Sequence, residues 1–171
     1  MKKTIFTFIA ICVLSALAFG HTRTIRFDVA VDQTTFAGVG LPPMGPPQRG
    51  NTFIVLGKIF PPGTLLPGSQ QNDPNAAGSI GDFYCRATFA NNIPTASGSP
   101  DLFNNQLFRF SSQNQLMTEG IESAEGLWMR AVVGGTGTYM GATGSLRIEV
   151  IGTNATGGYN QRAVFKLVDR D

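Results

Sequence analysis

The stretch Ala131-Val132-Val133-Gly134-Gly135-Thr136-Gly137-Thr138-Tyr139-Met140-Gly141-Ala142-Thr143-Gly144 decides how the chain is read. Its glycines invite a nucleotide-binding interpretation. A phosphate cradle, however, needs a helix N-terminus directly after the glycines, and a Lys where it is a P-loop. This segment contains no Lys and runs straight into Gly144–Ile151 (GSLRIEVI), which has a strand pattern. Leu127–Val133 (LWMRAVV), on its other side, also reads as a strand. The segment is therefore a tight inter-strand corner, where glycine allows positive φ and close backbone approach.

The same reading extends outward in both directions. Thr24–Asp32 alternates with period two: Ile25, Phe27, Val29 and Val31 share one face, and Arg26, Asp28 and Asp32 the other. Further strands are expected at Thr52–Phe60, Asp82–Phe89, Gln106–Ser111, Gln115–Glu122 and Tyr159–Val168. In the third of these eight strands, Phe83, Cys85, Ala87 and Phe89 face one way, and Asp82, Tyr84, Arg86 and Thr88 the other. Pro- and Gly-rich loops separate the strands near 38–47, 61–78 and 91–100. No stretch has a convincing helical period with caps at both ends. The fold class is all-β. An eight-stranded antiparallel β-barrel removes unpaired edges and leaves an interior for side chains or one small ligand. A two-sheet sandwich explains the same alternation.

Residues 1–20 read as a signal peptide. Lys2 and Lys3 precede an apolar run, Thr4–Leu17, that is shorter than the roughly 20 residues of a membrane span, and A-x-A-like sites follow at 16–18 and 18–20. The expectation is a secreted or periplasmic protein with one β-barrel domain over 21–171 and no membrane association after cleavage. Loss of Lys2 and Lys3 takes the formal charge from +2 to zero, which gives no electrostatic basis for nucleic-acid binding. Cys12 lies in the signal, so Cys85 has no intrachain disulfide partner and is either a small buried hydrophobe or a lone thiol. The chain has one His, His21, which excludes a His-rich zinc site and a two-histidine copper brace. Glu119, Glu122 and Glu125 cluster near a turn and read as a solvated acidic group, a poor metal site. No cofactor is expected. Asn154-Ala155-Thr156 is a formal glycosylation sequon.

The Gly-rich corner, with Gly-Gly-Thr-Gly at 134–137, an aromatic at Tyr139 and Ala-Thr-Gly at 142–144, resembles the signature of the allene oxide cyclase and dirigent superfamily. Asn51–Phe60, Leu116–Gly120 and Arg162–Leu167 are similar to other strands of that family, so the resemblance spans roughly residues 23–168. It implies an eight-stranded antiparallel barrel, often a homotrimer, whose lumen holds a small hydrophobic or phenolic molecule. It also implies a cofactor-free cyclase or isomerase, with pocket Asp and Arg residues in the dirigent proteins and a lumen Cys in the cyclases. The first-strand Asn-Glu pair of the plant cyclases is not reproduced; Ala30 and Val31 stand there. The candidate catalytic residues are Asp28, Arg86 and Cys85, and the candidate ligand contacts are Tyr84, Trp128 and Phe83. Each has a bland alternative. Asp28 shares a face with Arg26 and Asp32 that suits solvent or a subunit interface. Tyr84 and Arg86 suit a solvated face. Trp128 suits the core, with Phe108, Phe110 and Phe165. A charged group inside a ligand-sized apolar cavity favours an enzyme. A wholly apolar cavity favours a non-catalytic, lipocalin-like carrier, and a filled barrel a structural role.

Overall fold

In the computed structural model, which describes residues 21–40, 46–91, 101–123 and 127–168, the chain forms a closed barrel. Eight antiparallel strands follow one another in order: β1 (Thr22–Val39), β2 (Thr52–Phe60), β3 (Gly81–Phe89), β4 (Leu102–Arg109), β5 (Gln115–Glu122), β6 (Leu127–Thr136), β7 (Thr143–Thr153) and β8 (Tyr159–Val168). β1 closes the wall by pairing with both β2 and β8. The sandwich alternative is thereby replaced by the barrel. The expected signal segment and parts of the 38–47 and 91–100 loops lie outside the described residues.

Two boundaries moved for physical reasons. β4 begins at Leu102 rather than Gln106, because Asn104 and Asn105, poor strand formers in isolation, are held in register by both β3 and β5. β1 continues to Val39 through a register shift between Asp32 and Ala37, after which it pairs with β2 alone, its pairing with β8 having ended at Ala30.

Period-two alternation sorts the side chains. Val29, Val31, Val55, Ile59, Phe83, Cys85, Phe108, Leu116, Trp128, Leu146, Ile148 and Phe165 are among the buried residues that form one core inside the wall. Connections of an up-and-down barrel alternate between its ends, so the β2–β3, β4–β5 and β6–β7 links share one end. That end is sealed by aromatic rings. Phe27 and Phe110 lie 4.7 Å apart between centroids, Phe110 and Tyr139 5.5 Å, Phe108 and Phe165 5.0 Å, and Phe83 and Phe108 5.2 Å. Such tilted and edge-on pairs suit the ring quadrupoles.

The Gly-rich corner is a single 3-10 turn, Gly137–Tyr139, between β6 and β7, with no helix after it. Gly144 has φ 137°, and a Cβ there would run into the Lys166 carbonyl of the neighbouring strand. Gly144→Ala is therefore expected to cost about 1–3 kcal/mol from backbone strain alone. The urea midpoint, followed through the fluorescence of Trp128, measures it.

Candidate functional site

The interior is not uniformly apolar. Alternation on β4, β5 and β6 turns Asn104 and Gln106, Thr118 and Glu122, and Trp128 and Arg130 inward, away from the aromatic floor. The Arg130 side chain has no exposed surface, and that of Glu122 is 14% exposed. Arg130 Nη2 donates to Glu122 Oε2 at 2.7 Å, and its Nη1 donates to Asn104 Oδ1. Asn104 Nδ2 donates to the same Glu122 oxygen at 2.5 Å. The three residues form a closed ring of charge-assisted bonds. The Arg130 guanidinium also lies 5.8 Å from the Trp128 ring centroid, and the indole N–H donates to the Ser123 carbonyl at 2.7 Å.

Space for this cluster comes from Gly120. A Cβ there would stand 3.1 Å from Arg130 Cγ and 3.2 Å from Arg130 Cα. An alanine would press on the arginine stem and on its backbone.

Burial sets the electrostatics. It pushes the Glu122 carboxyl above its ordinary value, and the Arg130 charge and the bonds from Arg130 and Asn104 only partly reverse that. Burial likewise lowers Arg130, against support from Glu122. Cys85, one strand away from Gln106, is pushed up to about 12 by burial and then by the negative charge of Glu122. A thiol so disfavoured as thiolate is a weak nucleophile.

Several inward side chains carry a buried polar atom with no hydrogen-bond partner among the described residues, namely Gln106 Oε1, Thr118 Oγ1, Gln161 Oε1 and, within the ring, Arg130 Nε. Buried polar atoms are rarely left so.

The candidates named from sequence separate into two groups. Cys85, Phe83 and Trp128 line the interior. Asp28, Tyr84 and Arg86 lie on the outer side of the wall, because each is one residue out of step with the inward set. Asp28 is nonetheless buried. Neither solvent nor another subunit covers it: its Oδ2 accepts the Leu65 backbone N–H at 2.9 Å, which pins the β2–β3 connection over a small cluster of Ala30, Phe60 and Leu65. Arg86 is exposed, and Tyr84 lines an outer groove with Ile54, Leu107 and Met117. Glu122 corrects the solvated-cluster reading of the acidic residues; Glu125 lies outside the described residues. The sequon is occupied by its own fold: Asn154 Nδ2 donates to the Val31 carbonyl at 2.8 Å, and the residue is buried. Among the described residues no three His, Cys, Asp or Glu side chains gather in a way that could hold a metal ion.

Glu122 was read as solvated, and Arg130, although of the residue type that a dirigent pocket uses, was not placed in the interior, because both strand faces are apolar. On β6, Leu127, Met129 and Val133 point outward. A usable signal was present: strict alternation places Glu122 with Leu116 and Thr118, and Arg130 with Trp128 and Val132.

No family model matches the chain, and no curated protein matches it in sequence. Solved structures do match in shape. A pyocyanin demethylase superposes with TM-score 0.60 at 18% identity, over 85% of this chain and 100% of its own. The pterocarpan synthase dirigent protein PsPTS1 superposes with TM-score 0.60 at 13% identity, over 88% and 97%. The Diels Alderase AbmU from Streptomyces koyangensis gives TM-score 0.53 at 9% identity, over 87% and 70%. In fold, the chain thus resembles these dirigent and Diels Alderase barrels.

The raised carboxyl gives a pH prediction. Unfolded, Glu122 titrates near an ordinary 4.5; folded, it titrates higher. Its contribution to stability is therefore fully present below the unfolded value and is lost as pH rises through the folded one. Urea denaturation between about pH 4 and 7 is expected to show Glu122→Gln gaining relative to the parent as pH rises, with that titration absent from the variant's profile.

Proposed function

We propose that this chain is an exported dirigent and allene oxide cyclase-like barrel. It takes a small hydrophobic or phenolic molecule into its lumen and catalyses a cofactor-free cyclisation or isomerisation there. The observation that carries this reading is the buried Glu122–Arg130–Asn104 ring inside the barrel. A carrier of a purely apolar molecule gains nothing from burying a carboxylate and a guanidinium, because desolvation opposes both. An enzyme gains a carboxyl that burial makes a weaker acid than in water, and a cation fixed beside it.

The division of labour follows from the bonds. Both donors fall on Glu122 Oε2, so the acidic proton belongs on Oε1. Oε1 protonates a carbonyl, epoxide or leaving hydroxyl, and Arg130 stabilises the negative charge that appears as the proton moves. The Phe83, Phe108 and Phe165 rings fold the apolar part of the molecule into one shape. Cys85 lines the wall as a neutral thiol. Asp28 and Arg86, outside the wall, have no part in this scheme. The solved barrels of similar shape are named as a demethylase, a pterocarpan synthase and a Diels Alderase.

Secretion or passage to the periplasm belongs to the same proposal, as does assembly into a homotrimer. Ile54, Met117, Ile121, Met129 and Val133 expose an apolar outer face on β2, β5 and β6 that copies of the chain would cover.

Native mass spectrometry of protein purified from its own host identifies the bound molecule. Turnover of that molecule is then expected to fall at least about a hundredfold in Glu122→Gln, with binding retained. Full turnover in this variant overturns the assignment. Binding without turnover in the parent chain selects the carrier.

A further inference from the structure

The chain carries a formal charge of only +2, yet its cations are unevenly placed on the outer wall. Where β1, β8 and β7 lie side by side, the register sets their outward side chains in rows across the strands. Thr24, Lys166 and Ser145 form one row, Arg26, Val164 and Arg147 the next, and Asp28, Arg162 and Glu149 the third. β6 extends the middle row with Met129, the register partner of Arg147. All these positions are out of step with the inward set of Val29, Phe165, Leu146 and Ile148, so they stand outside the barrel.

Charge is not balanced within this patch. Its cations are Arg26, Arg147, Arg162 and Lys166, and its carboxylates are Asp28 and Glu149. Both carboxylates stand in the third row, on either side of Arg162. Asp28 is buried and bonded to the Leu65 N–H, and Glu149 reaches Arg147 only loosely, at 3.7 Å between half-exposed side chains. Arg26 and Lys166 have no anionic partner among the described residues. Arg26 and Arg147 flank Val164 and so lie two strand spacings apart, roughly 10 Å, while Lys166 is about 6.7 Å along the strand from Val164. Like charges gathered on neighbouring strands repel, so the fold itself gains nothing from them. The surface is also concave here. Arg26, Met129, Ser145, Arg147, Val164 and Lys166 line a pocket of about 340 Å³. Arg162 lies beyond Arg26 in an adjoining depression, beside Asp28.

We propose that this outer pocket binds a phosphate dianion, free or as the headgroup of a small monoester. The anion lies over Val164, between the Arg26 and Arg147 guanidiniums, and the Lys166 ammonium and Ser145 hydroxyl complete its donors. Guanidinium forks match the oxygens of a phosphate, and lysine adds a point charge. The patch has two more cations than carboxylates, which suits a dianion better than a monoanion. Val164 and Met129 offer an apolar surface to whatever body carries the phosphate. The site uses the outer wall alone, so it stands or falls independently of the lumen.

Titration of the protein with phenyl phosphate, phenyl sulfate and inorganic phosphate, followed through backbone amide chemical shifts, tests it. Low salt and about pH 8 keep the monoester dianionic. Shifts of Ser145, Arg147, Val164 and Lys166 are expected to move saturably. Phenyl phosphate is expected to bind at least about fivefold more tightly than phenyl sulfate, which has the same shape and one charge less. Arg26→Gln and Lys166→Gln should each weaken phenyl phosphate binding at least about fivefold, with thermal melts unchanged or raised as repulsion is relieved. Arg86→Gln removes the same charge from β3, four places from β7 in the ring of eight strands, and should leave binding unchanged. Tighter binding of phenyl phosphate than of inorganic phosphate assigns the site to a monoester, and equal binding assigns it to the free anion. Absence of saturable shifts at about 10 mM phenyl phosphate overturns the proposal. Equal affinity for the phosphate and sulfate esters also overturns it, as does an equal loss in Arg86→Gln.

Discussion

The barrel depends on a short segment of β1 that hydrogen-bonds on both sides. Asp28 pairs with Phe60 and Arg162, Val29 with Ile59 and Gln161, and Ala30 with Lys58 and Asn160. All three are buried. Without this closure the sheet would have two open edges, and its apolar face would be wet. With it, every inward residue is enclosed, and the interior becomes a low-dielectric space in which each polar atom matters. The outward carboxylate of Asp28 reinforces the same segment by fixing the β2–β3 connection across it. A carboxylate in the first strand thus serves the wall, and the interior carboxylate comes from β5.

That enclosure is the physical ground for the proposed reading of Glu122 and Arg130 as chemistry and not glue. Two charges taken out of water lose solvation worth several kcal/mol each, and their mutual attraction only roughly repays it. A well-packed apolar pair in their place would hold the barrel at least as well. Breaking the pair by removing one partner is different, because it strands a buried charge. The arrangement is stable against drift yet poorly justified by stability. The upward shift of Glu122, despite an adjacent guanidinium, is the signature of a site where desolvation has been allowed to dominate.

Much of the wall was legible in the sequence, because period two is a geometric property of a strand and needs no knowledge of its neighbours. On β1 and β3 the two faces separated correctly, Val29 and Val31 from Asp28, and Phe83 and Cys85 from Arg86, but the period alone does not say which face is inside, and the candidates Asp28 and Arg86 stand outside. The Gly-rich corner read correctly because Gly144 and its positive φ answer a local steric demand. The site was less legible for an equally physical reason. Where the outer surface is itself apolar, as at Met117, Met129 and Val133, hydrophobicity no longer tells in from out. Glu122 then passes for a solvated residue near a turn, although its parity with Leu116 fixes it inside. Burial of Asp28 was illegible for another reason. It comes from the β2–β3 connection folding back, a long-range event that no local period encodes.

The same separation of wall from contents explains how barrels at 9–18% identity share a shape. Wall hydrogen bonds run through the backbone and tolerate almost any side chain. An inward position can therefore change from apolar to polar without disturbing register, provided that room exists. Gly120 supplies that room here by leaving space for the stem of Arg130. The buried polar cluster is thus encoded by a missing side chain as much as by those present.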